Sequence, residues 1–409
     1  MNYSVFEHLQ GPVLSGTAFK LHGQRKNIIS NLSIQKDSTI PDLSDQLNIS
    51  IPKVNYLMMG LVEEGLVIEG GHTTEGVGRK ATTYKLNRSS CFFLGIEIKK
   101  YKINIGLMGF DKTIIESVSD IPFPFLDPHE SLHAIIIEIN KFLEQSSISK
   151  DKIMAVGLSI AGRINVKKGE ILTIYHFEDA PVKTILEKAI QLPVYIDNDS
   201  RTIAYGEYYF GEKLNAANVI VVNLDYGIGT GIFIDGKPVY GASGYAGEIG
   251  HIPLFNNEKI CLCGKKGCLQ TEASGFALIE FITKKMNEGS NSRLNVVIKK
   301  KGFLELEDII RAVQLGDNLA IEGVTIIGYN LGKGLSVAIN MFNPNVIIIG
   351  GTLSALGDSL LLPVVQSSIF QHSLSIVNTD TRIMVSKMNE QAGLLGCCLL
   401  VRDKTLGLV

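Results

Sequence analysis

The sequence predicts an α/β protein in which a winged helix-turn-helix precedes a duplicated, two-lobed α/β domain. Three observations carry this reading. Two short amphipathic segments flank a tight turn near the N-terminus, and a basic, glycine-rich hairpin follows them. Further on, two stretches each open with a run of β-prone segments before turning helical. Finally, the chain has 409 residues, 45% of them apolar, too many for one compact core and enough to fill several.

The head is read over residues 15–88. "GQRKNIISNLSI" (Gly23 to Ile34) sets Ile28, Ile29 and Leu32 on one helical face. In "STIPDLSDQLNIS", Ser38 or Thr39 starts a short helix carrying Ile40, Leu43 and Leu47. A turn at Asn48 to Ser50 leads into "IPKVNYLMMGLVEEG", where Val54, Leu57, Met58 and Leu61 form the buried stripe and Gly65 stops the helix. Two β-prone segments, Leu66 to Glu69 and Ala81 to Leu86, flank the glycine-rich loop and make a wing. From Ser15 to Ser90 there are nine Lys/Arg and seven Asp/Glu, a net of 9 − 7 = +2. Placement says more than the sum. Arg25, Lys26, Lys53, Arg79 and Lys80 fall at expected helix starts and on the wing, where DNA phosphates would lie. Lys53, Asn55 and Tyr56 are expected to face base edges from the second helix, with Arg79 and Lys80 on phosphates or in a minor groove.

From Cys91 to residue 409 the texture becomes α/β. "FFLGIEIKKYKINIGLMGFDKTIIESVSDIPF" reads as a three-strand meander, "PHESLHAIIIEINKFLEQS" as an amphipathic helix and "IMAVGLSIAG" as a buried strand. "PVKTILEKAIQ" is a helix, and "PVYIDNDSRTIAYGEYYFG" a strand, turn and helix. "NVIVVNLDYGIGTGIFIDGKPVYG" then restarts the meander, and a long helix (Leu319 to Asn343) and the strand "NVIIIGGT" follow. One lobe is expected over 91–200 plus a C-terminal helix and the other over 201–395, with a cleft between them.

The net charge of −2 excludes bulk attraction to polyanions, so any nucleic-acid contact is local. No run of about 18 apolar residues predicts a membrane span, and Met1 to Lys20 lacks an apolar signal core, so a cytoplasmic protein is expected. Thiols there are reduced, and clustered cysteines favour metal over disulfide. Cys91, Cys397 and Cys398 sit in apolar runs and read as inert core residues. His251, Cys261, Cys263 and Cys268 are different. They follow H-x9-C-x-C-x4-C across residues 251–268, a complete tetrahedral set for one structural zinc with no open coordination position.

This stretch resembles the ROK family (repressors, open reading frames and sugar kinases), whose pattern is G-E-x-G-H followed by C-x-C-G-x-x-G-C-L-E. Here it stands as Gly247, Glu248, Gly250, His251, Cys261, Cys263, Gly264, Gly267, Cys268 and Leu269, and the likeness continues through "DNDSRTIAYGE", "GIGTGIFIDGK" and "NPNVIIIGG". A winged helix ahead of such a domain is similar to the family's repressors of the N-acetylglucosamine, glucose and xylose type. The resemblance implies an actin-like, ribonuclease H-like duplicated fold with a sugar or sugar phosphate in its cleft. It implies sugar contacts from Asn198, Asp199, Glu248 and His251, with Gln270 in place of the family's glutamate. It also implies operator DNA as a partner, a homodimer or tetramer, and a possible sugar-transport protein partner. Gln270 and a missing asparagine in "LTIYHFEDAP" are departures that bear on which sugar is bound.

The family's kinases carry Asp-x-Gly-Gly-Thr after the first strand, where small residues let backbone amides approach ATP phosphates. This chain has Glu97, Lys99, Lys100 and Tyr101 there, and Asp225 and Tyr226 in the second phosphate turn. A sugar-responsive DNA-binding regulator is therefore expected, a repressor of carbohydrate uptake or catabolism genes without catalysis. The alternative is an ATP-dependent sugar kinase with an N-terminal regulatory head.

Overall fold

The computed structural model describes residues 16–72, 81–123, 127–173, 180–212, 216–388 and 390–409. They form two compact units, Met1–Asp197 with Cys397–Val409, and Asn198–Gly396. The first unit opens with the head: α1 (Gly16–Gln35), β1 (Ser38–Thr39), α2 (Ile40–Leu47), α3 (Ile51–Glu63), β2 (Val67–His72) and β3 (Thr82–Leu86). Thr39 caps α2. Its hydroxyl accepts from the Asp42 amide while the Asp42 carboxylate accepts from the Thr39 amide, a reciprocal capping box. Asn48 ends α2 in the left-handed region at φ 51°, and Pro52 opens the first turn of α3, where its missing N–H costs nothing. The three strands run in the order β1-β3-β2. The two-residue β1 was not legible as a strand; it pairs Ser38 with Tyr84 and Thr39 with Thr83.

One expectation needs correction. Helix α1 begins at Gly16, so Arg25 and Lys26 lie mid-helix and not at its start. Arg25 is turned inward, with its guanidinium 2.7 Å from the Glu64 carboxylate beyond α3 and its side chain only 14% exposed.

The head does not close its own core. Ile28, Ile29, Leu32, Leu43, Val54, Leu57, Leu61 and Leu86 pack in one cluster with Cys91, Phe93, Phe110, Ala155, Val401 and Leu406 from the domain that follows. Within the same unit the fully buried Arg402 donates to the Phe110 carbonyl at 3.0 Å and to the Ser33 hydroxyl at 2.6 Å. Its charge is met by Asp403 at 2.5 Å.

The rest of the first unit is β4 (Phe92–Ile98), β5 (Lys102–Gly109), β6 (Ile114–Pro122), α4 (Pro128–Gln145), β7 (Ile153–Ile160), the short pair β8 (Ile164–Asn165) and β9 (Glu170–Ile171), α5 (Val182–Ile190) and β10 (Val194–Asn198). The sheet order is β10-β7-β4-β5-β6, antiparallel from β4 to β6 and parallel between β4 and β7. The second unit contains α6 (Asp199–Phe210), β11 (Val219–Leu224), β12 (Ile228–Ile234), β13 (Lys237–Pro238), α7 (Gln270–Ala273), α8 (Gly275–Asn287), α9 (Leu294–Lys301), α10 (Leu306–Gln314), α11 (Asn318–Phe342), β14 (Val346–Gly350), α12 (Leu362–His372), α13 (Ser375–Asn378) and β15 (Arg382–Val385), and α14 (Gln391–Leu406) begins in it. Its sheet runs β13-β12-β11-β14-β15. Numbered by appearance, both sheets have the order 3-2-1-4-5, so the duplication read from the sequence is a duplication of topology. One described stretch, Thr352–His372, is long and apolar enough to cross a membrane. However, Leu353, Leu356, Leu361, Val365 and Ile369 bury into the second unit's core.

Within the second unit, α6 and the first turns of α14 touch backbone to backbone. A Cβ on Gly396 would lie 1.8 Å from the Thr202 carbonyl, and one on Gly206 2.0 Å from that of Ala392. Gly396→Ala is therefore expected to lower stability by about 3 kcal/mol, the upper end of overpacking penalties, because backbone cannot swing aside as a side chain does. Gly23→Ala, in open space on α1, is expected to be neutral or stabilising. Urea midpoints compare the two, and an unshifted midpoint for Gly396→Ala would refute the close contact.

Candidate metal centre and ligand site

The second unit brings His251, Cys261, Cys263 and Cys268 together with all four ligand atoms within 4.8 Å of one another. His251 Nδ1 lies 3.4 Å from Cys261 Sγ, and Cys263 Sγ lies 3.6 Å from Cys268 Sγ. Zinc–sulfur bonds of about 2.3 Å in a tetrahedron place sulfurs roughly 3.8 Å apart, whereas a disulfide needs about 2.05 Å. The donor set therefore fits a tetrahedral ion and not a cystine. Burial, followed by the neighbouring Cys263 and Cys261 thiols, pushes Cys268 up to about 12, and a dication would reverse that crowding.

The loop is built to aim these groups. The Leu269 amide donates to the Ile252 carbonyl at 2.9 Å, and the Leu254 and Phe255 amides donate to the Gly267 carbonyl at 2.9 and 3.0 Å. Gly267 has φ 72°, and a Cβ there would meet the Phe255 carbonyl at 2.0 Å, so only glycine closes this turn. Glu272 braces the loop from behind, accepting from Asn257 at 2.8 Å and lying 3.1 Å from Lys259. It is a buttress, and the residue following Leu269 is Gln270.

His251 has two neighbours. With Nδ1 among the thiols, its Nε2 lies 3.7 Å from Glu248 Oε2. Asn198 caps α6, its Oδ1 accepting from the Ser200 and Arg201 amides at 3.0 and 3.3 Å. That fixes the start of the helix and with it Asp199, whose Oδ1 accepts from the Ser200 amide at 2.8 Å. Burial raises the Asp199 carboxyl above its ordinary value, and the Asp225 charge adds to the effect. Gln270 Oε1 sits 3.5 Å from the Ile228 amide, against the β11–β12 turn. Sequence reasoning missed Arg201. It is buried, donates to the Gly244 carbonyl at 2.7 Å and lies 5.4 Å from the centre of the Tyr240 ring, which fixes the segment leading to Glu248. An arginine two residues after the Asn-Asp pair was the available signal.

The two turns read against the kinases' phosphate loops are held by hydrogen bonds and contacts within the chain. In the first unit the Lys99 amide donates to the Lys102 carbonyl at 2.9 Å, and Lys100 lies over the Tyr101 ring at 4.9 Å. Glu97 is buried and accepts from Asn104 at 2.7 Å. In the second unit Asp225 Oδ1 accepts from the Tyr226 amide at 2.6 Å and Oδ2 from the Thr352 hydroxyl at 2.6 Å, and the Asp225 carbonyl takes the Gly275 amide at the start of α8 at 2.9 Å.

On the head, Asn55 and Tyr56 are exposed, and half-buried Lys53 lies 4.9 Å from the Tyr56 ring centre. Lys26 is half-buried, which lowers its pKa. Arg79 and Lys80 lie outside the described residues.

Fold and site together define a helix-turn-helix regulator on a duplicated α/β scaffold. The ROK family matches residues 93–404. The xylose repressor of Caldicellulosiruptor bescii is 28% identical over 379 residues, covering 92% of this chain and 93% of the relative. The DNA-binding transcriptional dual regulator NagC of Escherichia coli is 25% identical over 369 residues, 90% and 89% of the two chains. A glucokinase of Halalkalibacterium halodurans is 34% identical over 272 residues, 65% of this chain and 81% of the relative. Among solved structures, a ROK family transcriptional regulator described as a homolog of the E. coli Mlc protein superposes with TM-score 0.80 at 26% identity, over 94% and 97% of the chains. The chain belongs to the ROK family. Within it, the chain is a transcriptional regulator of the sugar-responsive repressor type, built on the family's actin-like sugar-kinase fold.

Proposed function

We propose that this regulator binds operator DNA through α2, α3 and the wing, and that a sugar held by Asp199, Glu248, His251 and Gln270 changes its affinity for that DNA. A symmetric homodimer carries two heads and calls for a pseudo-palindromic site. Lys53, Asn55 and Tyr56 meet base edges, while Lys26, Arg79 and Lys80 serve phosphates. Arg25 is left out, because its charge is spent on Glu64 inside the head. The observation that carries this reading is the continuous packing of the head onto the first unit's sheet, which lets a rearrangement of that unit move the reading helix. The test is binding to the gene's own upstream DNA across salt, with and without a panel of sugars and sugar phosphates. Salt-dependent binding altered by one sugar is the expected result; no specific binding at any salt overturns the reading.

Zinc held by His251, Cys261, Cys263 and Cys268 would order the loop and fix the His251 ring, so that Nε2 is presented toward Glu248. When bound, such an ion supplies charge neutralisation for three thiolates. Phosphoryl transfer is not part of the proposal. The Asp225 side chain takes up the Tyr226 amide of the turn, and its carboxylate stands where a nucleotide phosphate would need a donor. The glucokinase relative makes the assay worth running: ATP-dependent turnover that disappears in Asp199→Asn would establish the kinase reading instead.

Asp199 gives a prediction with two signs. Its ionised carboxylate is the hydroxyl acceptor, and its pKa is raised, so sugar affinity falls on acidification while the pH is still above the ordinary aspartate value of about 3.9. For folding the sign reverses. A carboxyl whose folded pKa exceeds its unfolded one costs stability when ionised, and protonation relieves that cost. Asp199→Asn is thus expected to raise Tm while weakening sugar binding roughly ten- to a hundredfold. Calorimetry and thermal melts read both, and a destabilised variant with unchanged affinity would refute the assignment.

A further inference from the structure

The outward face of α3 carries chemistry of a particular kind. Ile51, Pro52, Asn55, Tyr56, Met59, Val62 and, at the last turn, Glu63 form one exposed arc, opposite the buried Val54, Leu57, Met58 and Leu61. Tyr56 is 58% exposed, Met59 56% and Ile51 52%. So much apolar surface on one short helix marks a contact face, and its place as the second helix of a helix-turn-helix points that face at a major groove. The helix contains no arginine, and its one lysine is drawn over the Tyr56 ring. The guanidinium fork that most often reads guanine is therefore missing from this surface. Beside Lys53, what remains suits the A·T pair: an amide for adenine and apolar groups for the thymine methyl. Asn55 Nδ2 donates to Met59 Sδ at 3.9 Å, which holds the amide beside the methionine and leaves its second hydrogen and Oδ1 for adenine.

We propose that α3 reads thymine methyl groups through Tyr56 and Met59, with Asn55 pairing the neighbouring adenine, so that half-sites are recognised by methyl contact in place of guanine forks. This rests on the DNA-binding reading above and names what that surface selects. Since the recognised feature is the methyl group itself, 5-methylcytosine at a contacted position supplies it in part where cytosine does not.

The test uses the zinc-loaded protein of 409 residues. Sites are selected from a random duplex pool, and the winning duplex is resynthesised with deoxyuridine replacing one thymine at a time. Half-sites with A·T pairs at the centre of the α3 footprint are expected. Removing one contacted methyl should weaken binding about fourfold, the effect of re-exposing one methylene-sized group. Tyr56→Ala and Met59→Ala should bind more weakly and become indifferent to the uracil exchange, and 5-methylcytosine should bind better than cytosine at the same position. Both side chains are exposed, so these variants should keep the parent's melting temperature; if either does not, the deoxyuridine series on the parent protein decides alone. Guanine-centred half-sites, or uracil tolerated at every thymine, overturn the proposal while DNA binding stands. Failure to enrich any sequence, as when the arc docks a protein, overturns the DNA-binding reading and this one with it.

Discussion

Cys268→Ser is expected to abolish stoichiometric zinc and leave the loop from Ile252 to Leu269 open to protease, with sugar affinity lost alongside. Cys268 is fully buried, the Leu269 amide next to it ties the loop to the Ile252 carbonyl, and its thiol is one of four converging ligands. Structural zinc sites contribute on the order of 10 kcal/mol or more to the fold they organise. Here the organised element is one loop, so the loss should fall on local order more than on global unfolding. Metal analysis against protein concentration, with limited proteolysis mapped by mass spectrometry, measures both. A serine variant that still binds one zinc per chain with a protected loop would show that the ion is not held as described. Chelation of the wild type should reproduce the phenotype, and zinc should reverse it.

Asp403→Asn is expected to destabilise the first unit by about 3–5 kcal/mol, the cost of leaving a buried guanidinium without its partner. Arg402 is wholly enclosed, and the Asp403 carboxylate meets its guanidinium at 2.5 Å. Lys112 sharpens the test. Burial, then the charge of Arg402, lowers its amine to about 8. A lysine with a depressed folded pKa costs stability while charged, so unfolding free energy should climb from about pH 8 toward the unfolded value near 10.4. Lys112→Met should flatten that slope. Replacing both members of the pair, Arg402→Met with Asp403→Leu, should recover much of the loss, as buried pairs often tolerate joint apolar replacement. Denaturant titrations at several pH values settle it; an Asp403→Asn midpoint equal to wild type would refute the claim.

The local signals that were read correctly were those carried by short-range chemistry. Thr39 and Asn48 announce α2 and the turn into α3 because caps and turns are decided within a few residues. The meanders were visible as runs of β-prone residues, and the ligand spacing of the cysteine loop as a motif. Long-range partners were not. Nothing near Arg25 in sequence says that Glu64, 39 residues away, will claim it. Nothing near Asp225 announces Thr352, 127 residues on. From the sequence alone Asp225 was only a departure from the kinases' second phosphate turn; the structure adds that it takes the Tyr226 amide and the Thr352 hydroxyl. The strand β1 escaped because two residues cannot display a period, and its pairing depends on β3 some 45 positions later. The Asn-Asp pair was read for its chemistry, whereas half of it, Asn198, is employed in starting α6.

The shared packing of Phe93, Phe110, Val401 and Leu406 with the head has an evolutionary consequence. A reading module whose apolar underside is finished by its neighbour cannot be transplanted as a self-sufficient cassette. Grafting it onto a foreign sensor would leave that underside wet unless the host offered a matching platform. New operator preferences in this lineage should therefore arise by point changes along the outward arc of α3, with the head retained in place.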